Sequence, residues 1–227
     1  MHQTIKIFLI ALTLPTLILA GDLFFSEYIE GSSYNKAIEI YNPTGAEVDL
    51  SDYTIKQSNG GSGWGCYTTD DGVITEDTRY ILPLSGTLSP DDVYVIYHND
   101  AASEIKSVGD IGFSYVQTPN GGNGDNVINF NGNDALGLFK DGVLIDVIGV
   151  PTENPGEDKG WTVAGTSNAT KDHTLVRKST VSQGNTDWTS SAGTSADDSE
   201  WEVHPQNTFT YLGSHVWSGG GNVSPMA

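Results

Sequence analysis

Short runs of alternating apolar and polar residues recur along the chain, and turn-forming Gly, Asn, Asp and Pro separate them. In the run 37–41, for example, Ile38 and Ile40 share one face and Glu39 takes the other. This period of two is typical of β-strands, whereas the 3.6-residue period of an amphipathic helix is scarce. The pattern predicts an all-β domain with strands at 23–29, 37–41, 53–56, 93–97, 127–130, 136–140, 143–148 and 174–177.

The strongest local prediction is a hairpin at Asp141-Gly142, since both residues of a type I′ turn need a positive φ. Two Gly-rich and Asn-rich stretches, 57–77 and 118–126, are predicted to be long loops. The region 150–217 is predicted to be mainly extended chain that wraps the sheets and is fixed by its tryptophans. The residues predicted to be buried in the core are Ile38, Ile40, Val95, Leu138 and Ile145.

The first twenty residues have the pattern of a secretory signal. Lys6 supplies a positive charge, residues 7–20 form a short apolar run, and Ala20-Gly21 provides a small-residue cleavage site. A permanent N-terminal anchor is the alternative, although the run is short for a membrane span. We therefore expect a signal peptide at 1–20, one domain at 21–217 and a flexible tail at 218–227, with no membrane span in the mature chain. The expected location is extracellular, with the periplasm as an alternative.

The acidic charge limits the possible partners. The chain has 29 acidic and 10 basic residues, and removal of Lys6 with the signal would leave a net charge of −20. Such a surface repels nucleic acids and anionic membranes, so nucleic acid is not an expected partner. Cys66 is the single cysteine, which excludes an intramolecular disulfide framework and leaves a buried thiol or an intermolecular disulfide open.

Several segments, in order, resemble a known family. SEYIEGSSYNKAIEIYNPTGAEVDLSDYTI (26–55) contains a strand ending in Glu, an Asn-Lys-x-small-Ile-Glu-Ile-Tyr-Asn strand and a hydrophobic-Asp-Leu-Ser-x-Tyr step. Residues 84–96, 129–149, 174–188 and 200–215 continue the similarity. The chain thus resembles the bacterial lamin-tail domain family. The resemblance implies an immunoglobulin-like antiparallel β-sandwich with long decorating loops, and an exported interaction module to which no catalytic residues are assigned.

The sequence does not match the common catalytic signatures. It contains no Gly-x-Ser-x-Gly, HExxH or Walker motif, so no catalytic residue is predicted. Calcium is the one cofactor that the residues suggest, because oxygen ligands cluster on turn-rich loops. The candidate ligands are Asp70, Asp71, Asp125, Asn131 and Asp134. Asn and Asp also form turns without binding metal, so solvated turns are the alternative.

Three residues are candidate contacts for a ligand. Trp64 lies among Gly and Ser in a predicted loop, where an aromatic ring could stack on a sugar, although core packing is the alternative. Arg177 and Lys178 form the one adjacent basic pair of the mature chain and could contact an anion, or could simply be surface residues.

The sequence therefore suggests a secreted, non-catalytic binding module of the adhesion type, whose partner is an extracellular polymer or protein. Two alternatives stay open. The chain could be an accessory unit of a secreted nuclease or phosphatase-type hydrolase, as the resemblance implies. It could also be a metal-dependent hydrolase that uses surface carboxylates, since 29 acidic residues offer many pairs.

Overall fold

A computed structural model describes residues 21–218. The predicted signal peptide at 1–20 lies outside the described residues, as does the predicted tail apart from Ser218. The Ser218 backbone N–H donates to the Ser179 carbonyl oxygen at 2.7 Å. Within 21–218, no helix has the length and apolar character needed to cross a membrane.

Strands make up most of the regular structure in these residues. They are β1 (Phe24–Glu30), β2 (Lys36–Tyr41), β3 (Val48–Asp49), β4 (Tyr53–Ser58), β5 (Cys66–Thr68), β6 (Ile74–Glu76), β7 (Ile81–Pro83), β8 (Thr87–Leu88), β9 (Val93–His98), β10 (Ile111–Phe113), β11 (Ala135–Lys140), β12 (Val143–Ile148), β13 (His173–Arg177) and β14 (Trp201–Pro205). Two short α-helices are α1 (Ser103–Lys106) and α2 (Trp188–Ala192). Single 3-10 turns occupy Leu50–Asp52, Asn59–Gly61 and Thr78–Tyr80.

The strands form two main sheets. The first sheet has the order β10-β9-β2-β1-β13-β14, and the second has the order β12-β11-β4-β5-β6, with β7 also paired to β4. Strands β3 and β8 make a separate two-stranded ribbon. The all-β sandwich is therefore confirmed. It is not wholly antiparallel, because β9 pairs with β10 and β4 pairs with β5 in parallel.

The inner faces of the two sheets bury one hydrophobic core. Ile38 and Ile40 from the first sheet and Leu138 from the second are inaccessible to solvent, as the alternation predicts. Val95 is also buried, but it packs on the opposite face of its sheet. The prediction for Ile145 is wrong: it is only partly buried, because the β11–β12 register shifts at Leu138/Phe139.

The predicted hairpin turn is confirmed, since Asp141 and Gly142 have φ values of 49° and 79°. Other local predictions are wrong. The stretch 57–77 is not simply a loop, because it contains β5 and β6. Val127, Ile128 and Phe130 are buried, but residues 127–130 do not form a strand. The region 150–217 supplies β14 to the first sheet and α2 to the core, in addition to the predicted strand β13.

The outer face of the first sheet is covered by residues 206–218, named here the C-terminal cover. Leu212 and Trp217 from this cover pack with Phe24, Tyr41 and neighbouring apolar residues in a second hydrophobic cluster. Both faces of β1 and β2 are therefore buried along their whole length. This double burial places two glutamates of these strands, described below, away from water.

Candidate functional site

A cleft opens on the outer side of the second sheet, beside Trp64. It has a volume of about 330 Å³ and is named here the Trp64 cleft. Both apolar and acidic side chains line it, among them Trp64, Leu144, Val150, Glu153, Asp187 and Trp188. A concave surface that combines aromatic rings with a few polar groups is typical of a binding site for a small molecule or a polymer segment.

Glycines hold Trp64 in the wall of this cleft. Gly63 and Gly65 flank it with φ values of 91° and 71°, which other L-residues rarely adopt. The Gly63 N–H donates to the Pro151 carbonyl oxygen at 3.0 Å. A Cβ atom at Gly137 on β11 would lie only 3.0 Å from Trp64 Cη2, so the ring depends on glycine there.

The Trp64 ring also packs edge-on against Phe139, with the ring centroids 5.6 Å apart. Lys56 Nζ lies 5.0 Å from the centroid of that same Phe139 ring. Such aromatic and cation–π contacts restrain the two rings. Trp64 stays partly exposed, so it is fixed before any ligand arrives.

Helix α2 also lines the cleft. Asp187 caps it, because its Oδ1 accepts hydrogen bonds from Thr189 N at 3.0 Å and Ser190 N at 3.4 Å. Trp188 follows at 5% exposure, with its ring tilted against Trp201 at 6.5 Å. A ligand in the cleft would thus meet an oriented carboxylate at Asp187 beside a fixed apolar wall.

The prediction that Arg177 contacts a ligand at the surface does not fit its position. Arg177 is 1% exposed, and its Nη2 lies 2.7 Å from Asp146 Oδ1 in the interior. Its Nη1 lies 3.3 Å from Glu200 Oε2. Lys178 is partly exposed, and its Nζ donates to the carbonyl oxygen of Ala196. Arg177 and Lys178 therefore do not form one basic surface.

The candidate calcium ligands lie on separate loops. Asp70 and Asp71 are exposed in the turn between β5 and β6, and Asp125 and Asn131 lie in later loops. Within residues 21–218, no group of three or more His, Cys, Asp and Glu side chains could hold a metal ion. Calcium binding stays a prediction.

Asp134 is buried and has a structural role. Its carboxylate accepts hydrogen bonds from Gly60 N at 2.7 Å and Asn131 N at 3.0 Å. These contacts tie the loop before β11 to the end of β4. Burial raises the pKa of the carboxyl, and the two backbone hydrogen bonds oppose that shift.

The buried pair Glu27 and Glu39 is not apparent from the sequence. Alternation puts Glu39 on the face opposite Ile38 and Ile40, yet it is 1% exposed, and within the described residues it forms no ion pair with Lys36 or Arg177. Lys36 Nζ instead lies 2.7 Å from Glu30 Oε1. The cause is the C-terminal cover, which lies far away in the sequence and turns the solvent face of β1 and β2 into an interior.

Comparison with known proteins gives a family but no close relative. The family model described as Lamin Tail Domain matches residues 19–152, which is more than half of the chain. The match includes Trp64 and most of the two sheets, but it ends before β13, α2 and β14. No curated protein and no solved structure matches the chain significantly.

Proposed function

Because the chain belongs to the lamin tail domain family, a family of immunoglobulin-like domains, we propose that it is a secreted, non-catalytic interaction module. Its Trp64 cleft binds an uncharged extracellular polymer, a neutral polysaccharide being the chemistry that fits best. The observation that carries this proposal is that the fixed, partly exposed indole of Trp64 lines the same cleft as an oriented carboxylate.

The chemistry of the cleft supports a neutral ligand. The apolar C–H face of a sugar ring can pack on an indole, while its hydroxyl groups donate hydrogen bonds to carboxylates such as Asp187 and Glu153. An anionic ligand would instead meet these acids and the large negative charge of the chain. This favours a neutral polysaccharide over an acidic polymer.

The rigidity of the site supports binding without catalysis. Because Gly63, Gly65 and Gly137 already fix the ring, little side-chain entropy is lost when a ligand stacks on it. Asp187 is committed to capping α2, which restricts its movement as an acid or base but leaves its outer oxygen free to accept from a hydroxyl group.

The experiment is titration calorimetry of the domain 21–218 with neutral polysaccharides: dextran, soluble starch, arabinoxylan and mixed-linkage glucan. We expect one of them to bind, and Trp64→Ala to weaken that binding about 30-fold, since an aromatic hot spot contributes about 2 kcal/mol or more. Tyr34→Ala is the matched control, because Tyr34 is an aromatic residue at 46% exposure that does not line the cleft.

Equal affinity in wild type and Trp64→Ala would overturn the assignment of the cleft. Absence of binding to every neutral polysaccharide, with binding to an extracellular protein instead, would reject the polymer and leave a protein-binding module. Turnover of any of these polymers that a point mutation abolishes would reject the non-catalytic proposal.

A further inference from the structure

Two glutamates face each other beneath the C-terminal cover. Glu27 on β1 and Glu39 on β2 are Cα partners in the antiparallel register. A register shift between Phe25 and Glu27 lets Ser26 also reach this site. Glu27 and Glu39 are each 1% exposed, so two acidic side chains share a site from which water is excluded.

The two carboxyl groups differ in their partners. Glu39 accepts hydrogen bonds from Ser26 Oγ at 2.7 Å and from Gly213 N, in the cover, at 2.6 Å. Within residues 21–218, neither Oε atom of Glu27 has a hydrogen-bond partner. A buried carboxylate without a partner is strongly unfavourable, and a second negative charge beside it increases the penalty.

A proton is the simplest group that resolves this conflict. Both Oε atoms of Glu27 are inaccessible to solvent, so any larger species would have to displace the cover. No third His, Cys, Asp or Glu completes a metal site here, within the residues described. Burial and the charge of Glu39 raise the pKa of Glu27 to about 9, and burial raises that of Glu39 to about 7.

The cover is held by hydrogen bonds near its two ends, at 206–208 and Ser218, and by packing between them. Leu212 and Trp217 insert into the second hydrophobic cluster, and His215 packs edge-on against Phe24 and Tyr41. Its polar attachments include the Gly213 N–H to Glu39 and the Thr174 hydroxyl to the Thr208 carbonyl oxygen at 3.0 Å. Because most of its hydrogen bonds lie at 206–208 and Ser218, the middle of the cover can separate locally while the two sheets stay intact.

We propose that the C-terminal cover is a proton-operated latch, closed while Glu27 is protonated and released when Glu27 ionises. On opening, Glu27 loses its proton to solvent, and water hydrates both carboxylates. The uncovered surface contains the apolar residues of the second cluster, such as Phe24 and Val95. The latch is separate from the Trp64 cleft, which lies on the other sheet.

Other charged groups act on the latch. Asp110, in the segment before β10, raises the pKa of Glu39 further, although less than burial does. In the cover, burial lowers the pKa of His215 to about 4, and Arg177 on β13 adds to that effect. Glu202 on β14 lies in the same row across the sheet, beyond Val176, but it is exposed.

These groups give the latch a defined pH window. Both glutamates bind protons more tightly when covered, so closure weakens as pH rises from about 4.5 to about 7 for Glu39 and about 9 for Glu27. His215 binds protons less tightly when covered, so it opposes closure as pH falls from 6.5 towards 4. Above pH 7.5, the ionisation of Glu27 therefore has the largest effect on the closure of the cover.

The test is quench-flow hydrogen exchange of the chain 21–227, read in peptides from 206–218 and, as an internal reference, from β11. Between pH 7.5 and 9.0 we expect the protection factor of the cover to fall tenfold or more, since one pKa unit corresponds to tenfold. The fall should disappear in Glu27→Gln, which keeps the shape but cannot ionise. Glu202→Gln, with its exposed carboxylate, should behave as wild type.

Constant protection of the cover in wild type over this range would overturn the latch, as would an equal fall in Glu27→Gln. Loss of protection in β11 along with the cover would mean global unfolding and would also reject it. If Glu27→Gln does not fold, Glu39→Gln provides the second test. Removing the Glu39 carboxyl takes away one group whose ionisation opposes closure and lowers the pKa of Glu27, so the cover should be more protected at pH 8 than in wild type. A cover less protected at pH 8 than in wild type would contradict the proposal.

Discussion

Two of the sites where the molecule buries acidic side chains treat their charge in opposite ways. Asp146, between the sheets, accepts hydrogen bonds from Phe25 N at 2.8 Å and Asn185 N at 2.8 Å, and it pairs with Arg177 at 2.7 Å. Glu27, beneath the C-terminal cover, has no hydrogen-bond partner within the described chain. Asp146 lies on the edge strand β12 and Glu27 on the inner strand β1, and both are almost inaccessible to solvent.

The difference shows that burial alone does not decide the role of a charge. Burial raises the pKa of Asp146, but Arg177 and two backbone amides oppose that shift, and a guanidinium cannot give up its proton. Protonation of Asp146 would leave the buried Arg177 without its Asp146 countercharge. We therefore interpret the Asp146–Arg177 ion pair as a permanent structural contact, named here the brace. Glu27 lacks such compensation, and its burial depends on a proton.

The largest effect should come from breaking the compensated site. Arg177→Ala leaves the Asp146 carboxylate buried without its countercharge, so we expect the free energy of unfolding to fall by about 3–5 kcal/mol. Urea denaturation monitored by tryptophan fluorescence measures this. Lys178→Ala, at the adjacent partly exposed position, should change stability by less than about 0.5 kcal/mol. A loss below about 1 kcal/mol for Arg177→Ala would contradict the brace.

A mutation on the opposite face of β2 provides a reference in which no charged group is changed. Ile40→Ala removes a fully buried side chain beside Glu39, and such truncations lower the free energy of unfolding by about 2–5 kcal/mol. Because no titrating group is removed, the loss should be the same at pH 5 and pH 8.5. A loss that changed strongly with pH would mean that the two faces of the sheet are coupled.

Removing the charge of Glu27, which has no countercharge, should raise the free energy of unfolding instead of lowering it. Glu27→Gln removes a group whose pKa is higher in the folded chain than in the unfolded one, where it is near 4.5. Folding of the wild type therefore becomes less favourable as pH rises from about 4.5 to about 9, and the variant escapes this loss. At pH 8.5 we expect Glu27→Gln to be more stable than wild type by about 1–3 kcal/mol.

That gain should shrink towards zero near pH 5, where Glu27 is protonated in both states of the wild type. Chemical denaturation at four pH values between 5 and 8.5 would resolve the trend. A variant that is less stable than wild type at pH 8.5 would show that the carboxylate has a partner.

The smallest effect should come from calcium binding. Calcium could offset the negative charge of carboxylates on the loops, but it could not reach Glu27, which is buried. If a loop site exists, calcium at ten times its dissociation constant would stabilise the domain by about 1.4 kcal/mol through linkage. The melting temperature should rise with calcium, but not with magnesium at equal ionic strength, and Asp125→Ala should abolish the rise. Equal melting curves with calcium, magnesium and chelator would leave the Asp and Asn residues as turn formers.

Local patterns in the sequence predicted much of the sandwich. Alternation predicted β2 and β9, and Asp141-Gly142 predicted the hairpin, because these signals depend on near neighbours. Strands β5 and β6 have three residues each, too few for a periodic pattern. The sequence also predicted that Trp64 is a candidate contact, and it does line a cleft.

The buried charges could not be predicted, because they depend on distant parts of the chain. The Asp146–Arg177 pair joins residues 31 positions apart, and the contact of Glu39 with Gly213 spans 174 positions. Period-two alternation correctly put Glu39 opposite Ile38 and Ile40. It could not show that a second layer would cover that face.

The most direct measurement is a carboxyl-detected ¹³C NMR titration of the domain 21–218, with Glu27 assigned by comparison with Glu27→Gln. We expect the Glu27 carboxyl carbon to titrate with a pKa near 9 and that of Glu39 near 7. Because the two groups interact, the assignment is supported by repeating the titration on Glu39→Gln. A Glu27 pKa below 5 in the folded domain would mean that the carboxylate is compensated after all, and it would contradict the distinction between the two buried sites.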